Sequence, residues 1–254
     1  MRLYNKIKRL FGRAVFKYEM LKNEDFIIVA LSGGEDSLVL AYFLHEWRKK
    51  MNFKYKLIGV HLNMGFAEAG EEKKKYEEGV KWLEKFCRSL DMEFYYEETD
   101  CAKQAKEVAE TGETSPCFVC SWHRRKRLFR LAEKLGVNKI AFGHHLDDVI
   151  VTFFINMFYT GELSTIVPVQ EMFKGKLYLI RPLFLIEKEL ISRFVKKMGW
   201  EILKNPCPFA EKTKRKKMEE FLKKHIYSLG PKVKKCITTA IFNPRIEYLP
   251  KKVW

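Results

Sequence analysis

Three groups of residues in this 254-residue chain have the types and spacings that chemistry requires. The first is Ser32-Gly33-Gly34-Glu35-Asp36-Ser37, a polar break between the apolar run Phe26–Leu31 and a second apolar stretch beginning at Leu38. Two glycines let successive backbone N–H groups turn onto one anion. The start of a following helix adds the positive end of its dipole, and Ser32 and Ser37 add hydroxyl donors. The break therefore reads as a phosphate cradle. It is neither G-x-x-x-x-G-K-[ST] nor the dinucleotide G-x-G-x-x-G. Asp36 would repel a bare phosphate, so its presence implies Mg²⁺ between carboxylate and anion, as in ATP sites.

The second group is Cys117-Phe118-Val119-Cys120, preceded by Pro116, a spacing that clamps a metal. Alone it fits a redox dithiol, half a zinc site, part of an iron–sulfur site, or two ordinary buried thiols. No second C-x-x-C completes a Cys₄ zinc site, and Cys207, held between Pro206 and Pro208, is the best third ligand. Three thiolates without an obvious fourth suit a cluster with one open iron, while His123 as a fourth ligand keeps zinc open. Cys87 reads as core, and Cys101 and Cys236 have no supporting context. The third group, Gly143-His144-His145-Leu146-Asp147-Asp148, follows an apolar run and starts a helix. Acids there are ordinary capping residues as well as candidate ligands.

The elements that must position these groups follow from hydrophobic periodicity. Residues 1–20 form a basic amphipathic helix. Strands are expected at Phe26–Leu31, Lys56–Leu62, Glu93–Glu98, Lys139–Phe142 and Leu177–Leu183. Helices are expected at Ser37–Lys50, Glu71–Leu90, Phe118–Leu135, Val149–Tyr159 and Glu187–Met198. That alternation specifies an α/β fold with a doubly wound, mostly parallel sheet. The first and third groups then fall at the same carboxyl edge of the sheet. The expected organisation is a basic N-terminal helix over 1–22, the α/β domain over 23–200, and a helical extension over 201–254 carrying Cys207.

Composition narrows the partners. Hydrophobic residues make up 47% of the chain, enough for a sizeable core. The 48 Lys and Arg against 32 Asp and Glu give a net charge of +16, which fits either a solvated Lys-rich surface or a polyanion partner. No stretch approaches the ~20 apolar residues of a membrane span, and residues 1–20 lack the apolar core of a signal peptide, so a cytoplasmic location with reduced thiols is expected.

The S-G-G-x-D-S loop after an apolar strand resembles that of the ATP pyrophosphatase (PP-loop) superfamily, adenine nucleotide alpha hydrolase-like in fold. The x is often Lys there; here it is Glu35, which implies weaker phosphate binding or neutralisation by another basic residue. The series S-G-G-x-D-S, C-x-x-C, G-H-x-x-D-D, N-M-F-Y-x-G (Asn156–Gly161), R-P-L (Arg181–Leu183) and a late Pro-Cys resembles the tRNA 2-thiolation enzymes of the TtcA and TtuA type. The resemblance covers roughly residues 1–210 and is closer to the TtcA branch, the tRNA 2-thiocytidine synthetases, since the terminal zinc motifs of the other branch are absent.

That resemblance implies an ATP-dependent tRNA sulfurtransferase, which adenylates the 2-carbonyl of a pyrimidine and replaces its oxygen by sulfur. It implies a [4Fe-4S] cluster on Cys117, Cys120 and Cys207, with Zn²⁺ the alternative, and ATP with Mg²⁺ as cosubstrate. ATP contacts are implied at Ala30, Leu31, Ser32, Gly33, Gly34, Asp36, Ser37, His61, Leu62, Gly143 and Asp148. Arg124, one turn after C-x-x-C, matches a phosphate-touching basic residue, and Asp36, Arg124 and Asp148 carry the implied catalytic roles. The partners implied are tRNA, a sulfur donor protein or sulfide, and a second copy of the chain. Candidate RNA-facing cations are Arg124, Arg125, Lys126, Arg127, Arg130, Lys212, Lys214, Arg215, Lys216, Lys217 and the N-terminal helix. A 2-thiouridine synthetase, a zinc- or persulfide-dependent thiolase, and a non-catalytic RNA-binding relative are the alternatives.

Overall fold

The computed structural model describes residues 1–112 and 115–249, which form two compact units: Met1–Leu146 with Val167–Ala210, and Asp147–Ile166 with Glu211 onward. The first unit contains a six-stranded sheet in the order β3-β2-β1-β4-β6-β5. Its strands are β1 (Phe26–Ala30), β2 (Lys56–Asn63), β3 (Glu93–Glu98), β4 (Lys139–Ala141), β5 (Val169–Met172) and β6 (Leu177–Ile180). All neighbours pair in parallel except β5, which lies antiparallel on β6. The unit's helices are α1 (Arg2–Lys17), α2 (Glu35–Arg48), α3 (Gly70–Ser89), α4 (Cys101–Thr111), α5 (Pro116–Leu135) and α7 (Lys188–Met198).

The unbroken apolar run of β1 is explained by burial on both faces. Ile27 and Val29 point into one core with α1, α2, α3 and α7, while Ile28 points into the other, beneath α5. α1 joins the first core through Ile7, Phe11, Ala14 and Val15, leaving its basic residues outward. Each fully buried Phe or Ile here contributes roughly 1.5–3 kcal/mol of transfer free energy.

The chain passes from β1 outward to β2 and β3, then returns to the far side of β1 as β4. The loops leaving β1 and β4 thus flank the point where the winding reverses, the place where open parallel sheets form a crevice. The S-G-G-x-D-S break is the first loop and Gly143–His145 the second.

Two elements of this unit were not expected from sequence. α4 buries only Cys101, Ala102 and Ala105, so it lacks the large apolar stripe that marks a helix. β5 is four residues long and exists through its pairing with β6. The expected strand to Leu183 stops at Ile180, where the chain turns instead.

The second unit contains α6 (Leu146–Tyr159), α8 (Lys214–Phe221) and α9 (Val233–Phe242). α8 is capped by Thr213, whose hydroxyl accepts from the Lys216 N–H at 3.0 Å, and continues through a wider π turn at Leu222–Ile226. Phe154, Phe158 and Phe221 form an edge-to-face aromatic series in this unit. Residues 201–210 thus pack with the sheet unit, while 147–166 pack with the rest of the C-terminal extension.

Candidate active site

At the end of β1 the Leu31 N–H donates to the Val60 carbonyl at 2.8 Å, extending the ladder by one bond before the chain leaves the sheet. Gly33 then takes φ +79°, and a side chain there would meet Leu203, whose Cβ would lie 2.5 Å from the added Cβ. Leu203 also donates its N–H to the Gly33 carbonyl at 3.1 Å. Gly34 caps α2; Ser37 Oγ donates to the Gly34 carbonyl at 2.9 Å, and Ser32 Oγ lies 3.3 Å from Ser37 Oγ. The two hydroxyls and the free helix start converge on one mouth, the geometry of an anion cradle. Across the crevice, a Cβ on Gly143 would come within 3.1–3.2 Å of the Asp36 backbone and Cβ. That close approach brings the loop after β4 against the cradle.

The acids of the loop meet a cation from α7. Lys188 Nζ lies 2.6 Å from Asp36 Oδ1 and 3.0 Å from Glu35 Oε2, and Ser192 Oγ donates to Glu35 Oε2 at 2.5 Å. His145 Nε2 is 3.7 Å from Asp36 Oδ1. Burial alone would raise the Glu35 pKa, but the bonds from Ser192 and Lys188 and the charge of Lys188 outweigh it and hold the carboxyl below its usual value. For Lys188, desolvation is outweighed by Asp36 and Glu35, and its pKa is raised. The loop position that is Glu here is thus answered by a lysine 153 positions later in the chain, at a helix start that periodicity identifies but whose partner it does not.

His61, expected to touch ATP, uses both ring nitrogens inside the protein. Nδ1 donates to the Leu31 carbonyl and Nε2 accepts from the Tyr76 hydroxyl, both at 2.7 Å. Burial lowers its pKa, as suits a neutral imidazole. His61 therefore ties β2 to the root of the cradle. Leu62 is core beneath α5, and Ala30 packs against the same cluster.

The three thiols come together. Cys120 and Cys207 pack on the small cluster of Phe66, Ala102 and Ala105, and burial, then the nearby Cys207 thiol, raise the Cys117 pKa. Burial, then the neighbouring thiols, push Cys120 up to about 12, with Arg124 opposing. Crowded thiols of this kind stay protonated until a positive centre binds them. Among the described residues no three His, Cys, Asp or Glu groups close on a single point, as one zinc ion requires. Three partly buried thiols are the kind of donor set that an iron–sulfur cluster takes. Cys101 is the thiol that sequence reasoning left without context; it is 1% exposed and adds its own influence on Cys120.

Leu203 joins the two halves of the site. Its backbone is bonded to Gly33 and it lies four residues before Cys207, a stretch that spans at most about 14 Å. The cradle and the thiols therefore share one end of the sheet unit.

Asp148 belongs to the second unit, where it is buried and paired with Arg215, while Lys234 holds Asp147 at 2.6 Å. The candidate RNA-facing cations divide. Arg127 pairs with Glu97 and Asp100, and Lys216 with Glu211. Lys126 sits over the exposed Trp122 ring at 4.6 Å, and Lys214 over Tyr159 at 4.8 Å. The Lys212 side chain lies outside the described residues.

A phosphate cradle at the winding reversal of a parallel sheet, with an acid at its helix start, defines a nucleotide-using α/β enzyme of the ATP pyrophosphatase kind. The chain belongs to the PP-loop domain family, whose model matches residues 2–226. It is 32% identical over 251 residues to a tRNA-cytidine(32) 2-sulfurtransferase of Syntrophotalea carbinolica, covering 98% of this chain and 92% of that one. It is 33% identical over 206 residues to the protein of the same name in Polynucleobacter necessarius, covering 81% of this chain and 64% of that longer one. In fold it is similar to the U34-tRNA thiolase NcsA from Methanococcus maripaludis with its [4Fe-4S] cluster. That likeness has a TM-score of 0.75 at 24% identity and covers 98% of this chain and 82% of NcsA.

Proposed function

We propose that this protein is an ATP-dependent tRNA sulfurtransferase that makes 2-thiocytidine. The observation that carries the reading is the backbone bond from Leu203 to Gly33, which ties the segment leading to Cys207 to the phosphate cradle. A cradle alone would fit many ligases; thiols at its rim fit delivery of sulfur to an adenylated substrate.

The backbone amides of Gly33–Ser37 with the Ser32 and Ser37 hydroxyls hold the phosphates, and Ala30, Leu31 and Leu62 line the approach from the strands. Asp36 holds Mg²⁺ against them. Lys188, tethered by Glu35, supplies the positive charge that the loop itself lacks, facing the departing pyrophosphate. Gly143, lacking a side chain, lets the loop after β4 close on Asp36. His61 orients the cradle through the Leu31 carbonyl. Arg124, near the Cys120 and Cys101 thiols, stabilises anionic charge between the thiol and phosphate ends of the site. Within the second unit, Arg215 keeps the Asp148 carboxylate oriented.

The carbonyl oxygen of a pyrimidine is a poor leaving group; as part of AMP it becomes a good one, and sulfur takes its place at carbon two. Cys117, Cys120 and Cys207 would hold a [4Fe-4S] cluster, which supplies a deprotonated sulfur at neutral pH. A sulfide or a donor protein replenishes that sulfur, and the enzyme works as a homodimer in the cytoplasm. No helix among the described residues is long and apolar enough to cross a membrane.

The test is mass spectrometry of tRNA nucleosides from cells lacking the gene, with and without a plasmid copy. Loss of 2-thiocytidine, restored by the wild-type copy and not by Asp36→Ala, is expected. Unchanged 2-thiocytidine with loss of a 2-thiouridine would overturn the choice of base, and an unchanged thionucleoside profile would overturn the function.

A further inference from the structure

In the second unit, α6, the segment following it and α9 enclose a cavity of about 840 Å³. Its volume lies within the roughly 300–1,000 Å³ of pockets that hold small ligands or a nucleotide-sized group. The walls are built rather than incidental. Thr165 Oγ1 donates to the Val149 carbonyl at 2.6 Å, and Asn156 Nδ2 donates to the Ser164 carbonyl at 3.1 Å, fastening the connecting segment back onto α6.

The lining includes the cations Lys232, Lys235 and Arg245 and the apolar Phe153, Leu163 and Ile241. Among the described residues no Asp or Glu lines the cavity. Of the acids near it in sequence, Asp147 is paired with Lys234, and Glu162 accepts from the hydroxyl of Ser164, a lining residue. The same unit also exposes Phe158 and Tyr159, with the Lys214 ammonium over the Tyr159 ring. Cations and an aromatic ring lining one pocket form a place where an unpaired base can stack while phosphates are neutralised.

We propose that this α6–α9 cavity is a second RNA site, which takes an unpaired nucleotide of the tRNA, its base against Phe153 and Leu163 and its flanking phosphates on Lys232, Lys235 and Arg245. The inference rests on the reading of tRNA as substrate and adds where another part of that substrate is held. An acidic peptide would satisfy the three cations but leave the apolar lining without a partner.

Cys236 lines the cavity and is exposed, so it reports occupancy directly. The experiment treats the cluster-loaded protein with a maleimide and follows alkylation of the Cys236 peptide by mass spectrometry. Additions are bulk tRNA, ATP with Mg²⁺, or inorganic phosphate. Saturating tRNA is expected to slow Cys236 alkylation at least fivefold, with no change from ATP or phosphate. In parallel, Lys232→Ala with Lys235→Ala and Arg245→Ala should weaken tRNA binding about ten- to a hundredfold at 0.1 M salt. The slope of log affinity against log salt should flatten by about two, as loss of three single-strand phosphate contacts requires. ATP affinity should stay at the wild-type value. Cys236 reactivity indifferent to saturating tRNA, protection by phosphate alone, or a wild-type salt slope in the triple variant would each overturn the site. If the wild-type protein binds no tRNA in the same titration, the substrate reading falls instead.

Discussion

Removing the ammonium of Lys188 should weaken ATP and spare AMP. In the free protein that group is bonded to Asp36 at 2.6 Å and Glu35 at 3.0 Å, with 38% of its side chain exposed. A hydrogen bond to a charged group contributes roughly 1.5–3 kcal/mol when well shielded. At this exposure, solvent screening cuts that to about 1–1.5 kcal/mol. Lys188→Ala also leaves two carboxylates without their cation beside an incoming polyanion, a change of the same sign. The ATP dissociation constant should therefore rise about tenfold, since ~1.4 kcal/mol is one decade. AMP has no β- or γ-phosphate, and its affinity should change less than about twofold. Lys188→Arg keeps the charge and should retain most of the ATP affinity. Calorimetric titration of the cluster-loaded protein with each nucleotide and Mg²⁺ measures all four quantities. Equal losses for ATP and AMP would reduce Lys188 to a packing residue. Tighter ATP binding by Lys188→Ala would mean that the ammonium competes with Mg²⁺ for Asp36, and would refute the assignment outright.

Cys207→Ser should lower bound iron from about four per chain to near zero, measured by colorimetric iron assay after anaerobic purification, while ATP affinity changes less than about threefold; full iron retention would remove Cys207 from the ligand set. Ser192→Ala should raise the Glu35 pKa and weaken the tie between α2 and α7 by about 1 kcal/mol. Because the folded pKa of Glu35 lies below its ordinary 4.5, the stability it contributes is present above pH 4.5 and is lost as pH falls through the lowered value. Denaturant unfolding should therefore separate the variant from wild type at pH 7 and bring the two together in acid; a constant difference across that range would deny the charge linkage.

The sheet was legible because its strands are buried on both faces, so β1, β2 and β4 read as apolar runs between helical stretches. The cradle was legible because Gly33, Gly34 and Asp36 are contiguous and need no tertiary information. Cys207 joining Cys117 and Cys120 was readable as chemistry rather than geometry, since rigid prolines around a thiol mark a ligand. What escaped depends on contacts across the chain. α4 carries alanines where a helix signal needs leucines, so Cys101, at its first residue, looked isolated. Lys188 looked like an ordinary first-turn lysine until folding set it on Glu35. The internal bond of the His61 ring escaped because its partner Tyr76, fifteen residues on, faces it from α3.

The contact between Leu203 and Gly33 makes two chemistries answer to one missing methyl group. A side chain at position 33 would drive the Leu203 backbone outward and carry the segment toward Cys207 with it. A lesion there would emerge in the laboratory as two defects, failed adenylation and a colourless preparation, though a single atom was the cause.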